Sequence, residues 1–244
     1  MNPVQRRRVI AVVVSLIVVG GVIVLGIRTL GRFMPRFVGE ATEWTRGRLD
    51  ETDAVSLPFE LPAGAGFQEI SIVGGWRITI GAGEPGVAVT AAGRSTPEAR
   101  VSVQHGTLHL EAPLTPGVSE THLVATVSMP ELSRLAITGG ADVRIEGVEA
   151  DRLELTVDGA ASVRADESRF EHLQVTVQGA TNLDFRGSRT VNAHVELDGA
   201  SNLSIRMDGG RLTGTLRGVG NVTWTGTASD EAIRVEGIGR VRKQ

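Results

Sequence analysis

The chain of 244 residues has no cysteine and no tyrosine, and Lys243 is the one lysine among its 25 basic residues. Without cysteine there is no disulfide framework, no thiolate zinc site and no lipoprotein anchor on a cysteine. A basic surplus is missing as well, since 25 Lys and Arg stand against 28 Asp and Glu, a formal net charge of −3. Nucleic-acid binders carry excess positive charge to neutralise phosphates, so no nucleic-acid partner is expected. Aromatics make up only 4% of the chain. The core must then be built from small and β-branched side chains, and 31 glycines divide the chain into many short segments. No nucleophile elbow, phosphate loop or calcium loop is present, and GxG pieces such as Gly81-Ala-Gly83 lack a following helix.

What is present begins with an apolar run. Residues 9–27 read VIAVVVSLIVVGGVIVLGI, without one charge. As a helix the run spans roughly 28 Å, close to the hydrocarbon thickness of a bilayer. It is longer than a signal-peptide core of ~7–15 residues, and no small-x-small cleavage site follows closely, so an uncleaved signal anchor is expected. Arg6, Arg7 and Arg8 flank one end and Arg28, Arg32 and Arg36 the other. That near-tie is tipped by the free amino terminus toward a cytoplasmic N-terminus. The later arginines recur every fourth residue beside Leu30, Phe33, Met34 and Phe37, which suits an interfacial helix or an ordinary linker helix. Residues 1–44 hold six of the basic and two of the acidic residues, which leaves the remainder at net −7. The expected organisation is a cytoplasmic stub (1–8), a transmembrane anchor (9–27), a juxtamembrane segment (28–56) and one exported domain (57–244).

That domain is a repeat array. Gly139-Gly-Ala-Asp-Val143, Gly159-Ala-Ala-Ser-Val163, Gly179-Ala-Thr-Asn-Leu183 and Gly199-Ala-Ser-Asn-Leu203 are followed by Gly218-Val-Gly-Asn-Val222 and Gly237-Ile-Gly-Arg-Val241. The spacings are 20, 20, 20, 19 and 19. Alternating runs flank each motif, as in Leu153-Glu-Leu-Thr-Val157 before one and Leu203-Ser-Ile-Arg206 after another. Alternation bounded by glycine reads as strand–turn–strand. Ile70-Ser-Ile-Val-Gly-Gly-Trp-Arg-Ile-Thr-Ile80 is an outlying copy that opens the array. Residue type is kept at fixed phase: Val157, Val177, Leu197, Leu216 and Val235 form one column, and Val143, Val163, Leu183, Leu203, Val222 and Val241 another. A third runs Ile145, Ala165, Phe185, Ile205 and Trp224. A sandwich or barrel of short strands does not require that constancy, whereas stacked coils do. The predicted fold is all-β, a right-handed parallel β-helix solenoid of about 20-residue coils behind one N-terminal transmembrane helix.

The polar columns invite functional readings. Asn182, Asn202 and Asn221, behind corner glycines such as Gly159, Gly179 and Gly199, suggest a structural turn ladder in which each amide bonds the next coil. Asp158 and Asp198 would lie two coils apart, roughly 9.6 Å at strand spacing. That is near the separation of inverting-glycosidase carboxylates, about 6.5–9.5 Å. Asp before Gly is ordinary turn chemistry, however, and neutral Gln178 stands between the two. His105, His109, His122, His172 and His194 share no phase. On a strand His105 and His109 would be about 13 Å apart, too far to share a metal. Asp166 and Arg186 would pair as outward neighbours on adjacent coils, and Arg240, Arg242 and Lys243 would cap the last one. Catalytic residues, cofactors and metals are therefore not expected.

The opening Phe67-Gln-Glu-Ile-Ser-Ile-Val-Gly-Gly-Trp-Arg-Ile-Thr-Ile80, the join Val127-Ser-Met-Pro-Glu-Leu-Ser-Arg-Leu135 and the closing Leu212-Thr-Gly-Thr-Leu-Arg-Gly-Val-Gly-Asn-Val-Thr-Trp-Thr-Gly226 carry a resemblance. Together with the Gly-Ala-Ser/Thr-Asn repeats they resemble the putative auto-transporter adhesin head GIN domain family (DUF2807-type), over about residues 57–241. That family usually has Gly-Ser-Gly at the turns, where this chain has Gly-Ala-Ser or Gly-Ala-Thr. The resemblance implies an exported β-solenoid of the bacterial cell envelope without established enzymatic activity. Fold alone does not fix function. The expected role is a non-catalytic, adhesin-like binding or structural module on the periplasmic side of the cytoplasmic membrane, contacting an envelope polymer or protein. A polysaccharide-active β-helix enzyme is one alternative. The other is an envelope-sensing accessory subunit whose span, with Gly20, Gly21 and Gly26, packs against a partner span.

Overall fold

Residue-type columns at a constant period are useful to a chain only if successive repeats hydrogen-bond in register, and here they do. The computed structural model describes residues 54–57, 59, 61, 66–92, 99–112 and 122–244. The run 9–27 and the arginine-flanked segment after it lie outside the described residues. Among the described residues there is no helix, and so none long and apolar enough to cross a membrane. The strands are β1 (Ala54–Leu57), β2 (Glu69–Ala82), β3 (Gly86–Ala92), β4 (Arg100–Gln104) and β5 (Thr107–Glu111). They are followed by β6 (His122–Met129), β7 (Arg134–Glu146), β8 (Glu149–Asp208), β9 (Arg211–Thr227) and β10 (Asp230–Lys243).

From β7 onward every pairing is parallel. Gly139 is registered with Gly159 between β7 and β8, Gly199 with Gly218 between β8 and β9, and Gly218 with Gly237 between β9 and β10. The 60 residues of β8 would run to roughly 200 Å if straight. Instead the strand turns back on itself, so that Gly179 meets Gly159 and Gly199 meets Gly179. The three apolar columns point inward. Val157, Val177, Leu197 and Leu216 are buried, as are Val163, Leu183, Leu203 and Val222, and Ala165, Phe185, Ile205 and Trp224. Phe170 and Phe185 meet edge-on, their ring centroids 6.0 Å apart. Burying one such aliphatic side chain is worth about 1.5–3 kcal/mol. A single repeat cannot realise that gain, because the neighbours of each inward residue belong to the repeats on either side. In the final strand Val235 and Val241 are only half-buried. There Lys243 lies over the Trp224 ring, Nζ 4.6 Å from its centroid.

The opening copy joins the array directly. β2 pairs in parallel with β7, Gly74 opposite Gly139 and Ile80 opposite Ile145. The other edge of β2 is shared by β5 under its first half and β6 under its second. Antiparallel partners finish this end, β4 on β5, β3 on β6 and β1 on β3. His105 and Gly106 form the two-residue turn between β4 and β5, with φ of 52° and 81°. Positive φ at both central positions is the geometry that matches the twist of a tight hairpin. His105 and His109 are thus not spaced along one strand, because the hairpin turn takes His105 out of it.

Candidate functional site

The repeated corner builds the most distinctive surface of the molecule. Gly199 has φ of 111°, and a Cβ there would run into the Gly179 carbonyl oxygen, so the close approach of successive repeats demands glycine. After the corner glycine the side chains alternate. The second motif position points outward, the third inward and the fourth outward.

Inside the corner the third position carries a buried polar contact, Thr181 Oγ1 donating to Ser201 Oγ at 3.1 Å. The turn-column amides lie outside it. Asn221 Nδ2 donates to Asn202 Oδ1 at 3.3 Å, while Asn182 makes no amide bond to Asn202. All three asparagines are exposed, so water competes for the same groups.

The second position forms an outward apolar ridge whose bulk grows along the array. In register it reads Gly75, Gly140, Ala160, Ala180, Ala200, Val219 and Ile238. Val219 is 55% exposed and Ile238 77%. Between this ridge and the fourth-position column runs a groove of about 450 Å³, with Ala200, Val219 and Ile238 on its apolar side and Asn202, Asn221 and Arg240 on its polar side. A hollow of about 260 Å³ marks the same corner near Trp76 and Asp142, where glycines leave it without a ridge. Nothing in the sequence pattern singled out this ridge, because an aliphatic residue after a glycine reads as core until its phase is known.

The strand face beyond the corner changes character along its length. In the earlier repeats its arginines are paired. Arg77 lies 3.4 Å from Asp142, Arg144 pairs with Glu146 and with Asp166 at 3.7 Å, and Arg164 lies 2.9 Å from Asp166. Arg186 does not reach Asp166 on the neighbouring repeat as the sequence suggested. It forms two bonds to Asp184, at 2.9 and 2.7 Å, because residues two apart on a strand share a face and the guanidinium fork matches the carboxylate. That side-chain bond holds the Asp184 carboxyl below its ordinary value. Partial burial opposes the shift, and the Arg186 backbone N–H, 3.2 Å away, adds to it. In the later repeats the same columns hold Ser204, Thr223 and Thr225 together with Arg206, Arg240 and Arg242. Among the described residues these three arginines make no ion pair.

Before the corner, Asp158 and Asp198 are exposed on either side of Gln178, on open strand surface. His172 and His194 are exposed as well, and His194 Nδ1 lies 3.1 Å from the Thr213 hydroxyl. Among the described residues no group of three or more His, Asp or Glu is arranged to hold a metal ion. The surface offers hydrogen bonds, charge and a shallow apolar edge.

A family model matches residues 66–203, and the family is described as putative auto-transporter adhesin, head GIN domain. This chain belongs to the GIN-domain family. The match ends at Leu203, and the parallel register of this GIN-family chain continues to Lys243. No curated protein matches it. Among solved structures, a putative adhesin from Bacteroides fragilis NCTC 9343 is similar at 14% identity and a TM-score of 0.54, over 80% of this chain and 98% of that one. A putative adhesin from Parabacteroides distasonis ATCC 8503 shares 12% identity over 81% and 98% of the two chains, with a TM-score of 0.47. One from Parabacteroides merdae ATCC 43184 shares 13% over 79% and 97%, with a TM-score of 0.43. At 14% identity the likeness to the Bacteroides fragilis structure is one of fold.

Proposed function

We propose that this GIN-family chain is a non-catalytic, adhesin-like binding module of the bacterial cell envelope. In this reading the array is a right-handed parallel β-helix. Residues 9–27 anchor it in the cytoplasmic membrane with residues 1–8 in the cytoplasm, residues 28–56 lead out of the bilayer, and residues 57–244 form the extracytoplasmic domain. The handedness follows the general preference of parallel crossovers. The column Asn182, Asn202 and Asn221, on an array of corners that includes Gly159, Gly179 and Gly199, serves as a structural turn ladder whose one bonded rung joins Asn202 and Asn221, and these two double as the polar wall of the groove.

The observation that carries the reading is the open groove beside Val219 and Ile238. A shallow groove with an aliphatic edge and a polar wall suits retention of a long partner better than chemistry, which needs reacting groups enclosed and oriented. The ligand is an envelope polymer or protein. No nucleic acid and no cofactor is involved.

Two measurements test this. Alkaline phosphatase fused after Gln244 is expected to be active in intact cells, and an active cytoplasmic reporter at the same place reverses the topology. The full chain in detergent is expected to co-sediment with purified envelope polymer without releasing reducing ends. Hydrolysis that Asp198→Asn abolishes in a folded protein would replace the binding module with an enzyme.

A further inference from the structure

We infer that the face spanning Asn202 to Arg242 binds a linear acidic polysaccharide, with its carboxylates on Arg206, Arg240 and Arg242 and its sugar C–H edges on Val219 and Ile238. The inference rests on the binding-module reading and names the ligand class. Its starting point is the switch along one face. Arg77, Arg144, Arg164 and Arg186 each have a carboxylate partner within the fold, so their charge is already answered. Arg206, Arg240 and Arg242 occupy the equivalent columns later in the array, are exposed, and have no ion pair among the described residues. Guanidinium groups suit carboxylates through paired N–H donors.

The arrangement fits an extended chain. Arg240 and Arg242 are two residues apart on one strand face, roughly 7 Å, and Arg206 lies two repeats earlier, in the column that continues through Thr225 on the intervening strand. Between them Asn202, Asn221, Ser204, Thr223 and Thr225 offer amide and hydroxyl groups at the ~4.8 Å spacing of neighbouring strands. Such groups donate to and accept from sugar hydroxyls.

Two other polyanionic surfaces fit less well. The tryptophans Trp76 and Trp224 and the phenylalanines Phe67, Phe170 and Phe185 are buried, so they offer no stacking platform for the bases of a single-stranded nucleic acid. A lipid surface calls for a broad apolar face, and here the large exposed aliphatics on this corner are Val219 and Ile238. The net charge of −7 on the residues after 44 does not prevent contact with a polyanion, because charges more than about 8 Å away are largely screened at physiological salt.

The experiment uses the full chain in detergent at about 0.15 M salt, titrated with polygalacturonate, with its fully methyl-esterified form and with inorganic polyphosphate. Polygalacturonate is expected to bind, and the ester and the polyphosphate to bind at least about tenfold more weakly. The triple variant Arg206→Gln, Arg240→Gln, Arg242→Gln is expected to lose about tenfold or more of the polygalacturonate affinity. A charge-matched control at three exposed arginines of β8 outside these columns, Arg152→Gln, Arg169→Gln, Arg189→Gln, should stay within about twofold of the parent. Circular dichroism and urea midpoints establish that both triples are folded. Equal losses in the two triples, equal affinity for ester and acid, or polyphosphate binding as tightly as polygalacturonate overturns the inference, as does absence of polygalacturonate binding. If neutral envelope polymer still co-sediments in that last case, the acidic ligand falls and the binding module stands. If nothing binds, both fall.

Discussion

Thr181 Oγ1 donates a hydrogen bond to Ser201 Oγ across 3.1 Å, one repeat apart and sealed inside the corner. Two hydroxyls in the interior satisfy each other, so neither is left desolvated and unpaired. Removing one should cost more than removing both. Thr181→Val is expected to lower stability by about 1–3 kcal/mol, since it leaves the Ser201 hydroxyl alone. Adding Ser201→Ala should recover part of that loss. Urea unfolding of the two singles and the double closes the cycle, and strictly additive losses would contradict a coupled pair.

Gly199 and Gly140 separate the two reasons for glycine at this corner. Gly199 combines φ of 111° with the Gly179 carbonyl in the place of a Cβ, whereas Gly140 has nothing within 4 Å of the same position. Gly199→Ala is expected to cost at least about 2 kcal/mol. Gly140→Ala should fall within about 0.5 kcal/mol of the parent. Thermal or urea midpoints decide it, and a tolerated Gly199→Ala means that the corner relaxes.

The exposed rung between Asn221 and Asn202 should matter less than the buried one. Asn202→Leu frees an amide that water can reach, so the expected loss is under about 1 kcal/mol. A loss as large as that of Thr181→Val indicates that the amide column carries the stacking.

Asp184 gives the array an acid-sensitive element. Its carboxyl is held below the ordinary value, first by the Arg186 guanidinium, so the folded chain takes up that proton later than the unfolded one. The stabilisation is complete above the ordinary Asp value of about 3.9 and is lost as pH falls through the lowered one. Unfolding midpoints of the parent should therefore exceed those of Asp184→Asn near neutrality and converge with them on acidification. A gap that widens as pH falls reverses the sign and rules the argument out.

Period and phase made most of this architecture legible. Val157, Val177, Leu197 and Leu216 recur at fixed spacing because each must face the same neighbour in the next repeat, and a demand that strict leaves a mark in the sequence. The Thr181–Ser201 pair left a fainter one. Its motif position holds Ala, Ala, Thr, Ser, Gly and Gly, which reads as turn filler until alternation from the inward Leu183 and Leu203 places it indoors. The choice of Asp184 over Asp166 by Arg186 was not legible at all, since both carboxylates lie within reach of a long side chain and hydrogen-bond geometry decides between them. Nor was the outward ridge ending in Val219 and Ile238, because hydrophobicity alone does not say which side of a strand faces water.

The pairing of Gly74 with Gly139 has a consequence for the order of assembly. Elsewhere in the array partners are 19 or 20 residues apart, whereas here the chain must close an interval of 65. Closing the longer interval costs about 1 kcal/mol more in chain entropy. During synthesis β2 emerges long before β7 exists, as an alternating apolar strand with both edges open. β5 and β6 are nearer in sequence, with Ile70 opposite Leu108 and Ile78 opposite Ala125, and they cover one of those edges first. The antiparallel pairs at this end thus act as early shelter for a strand that would otherwise wait unpaired, and amide protection in β2 should appear in two steps.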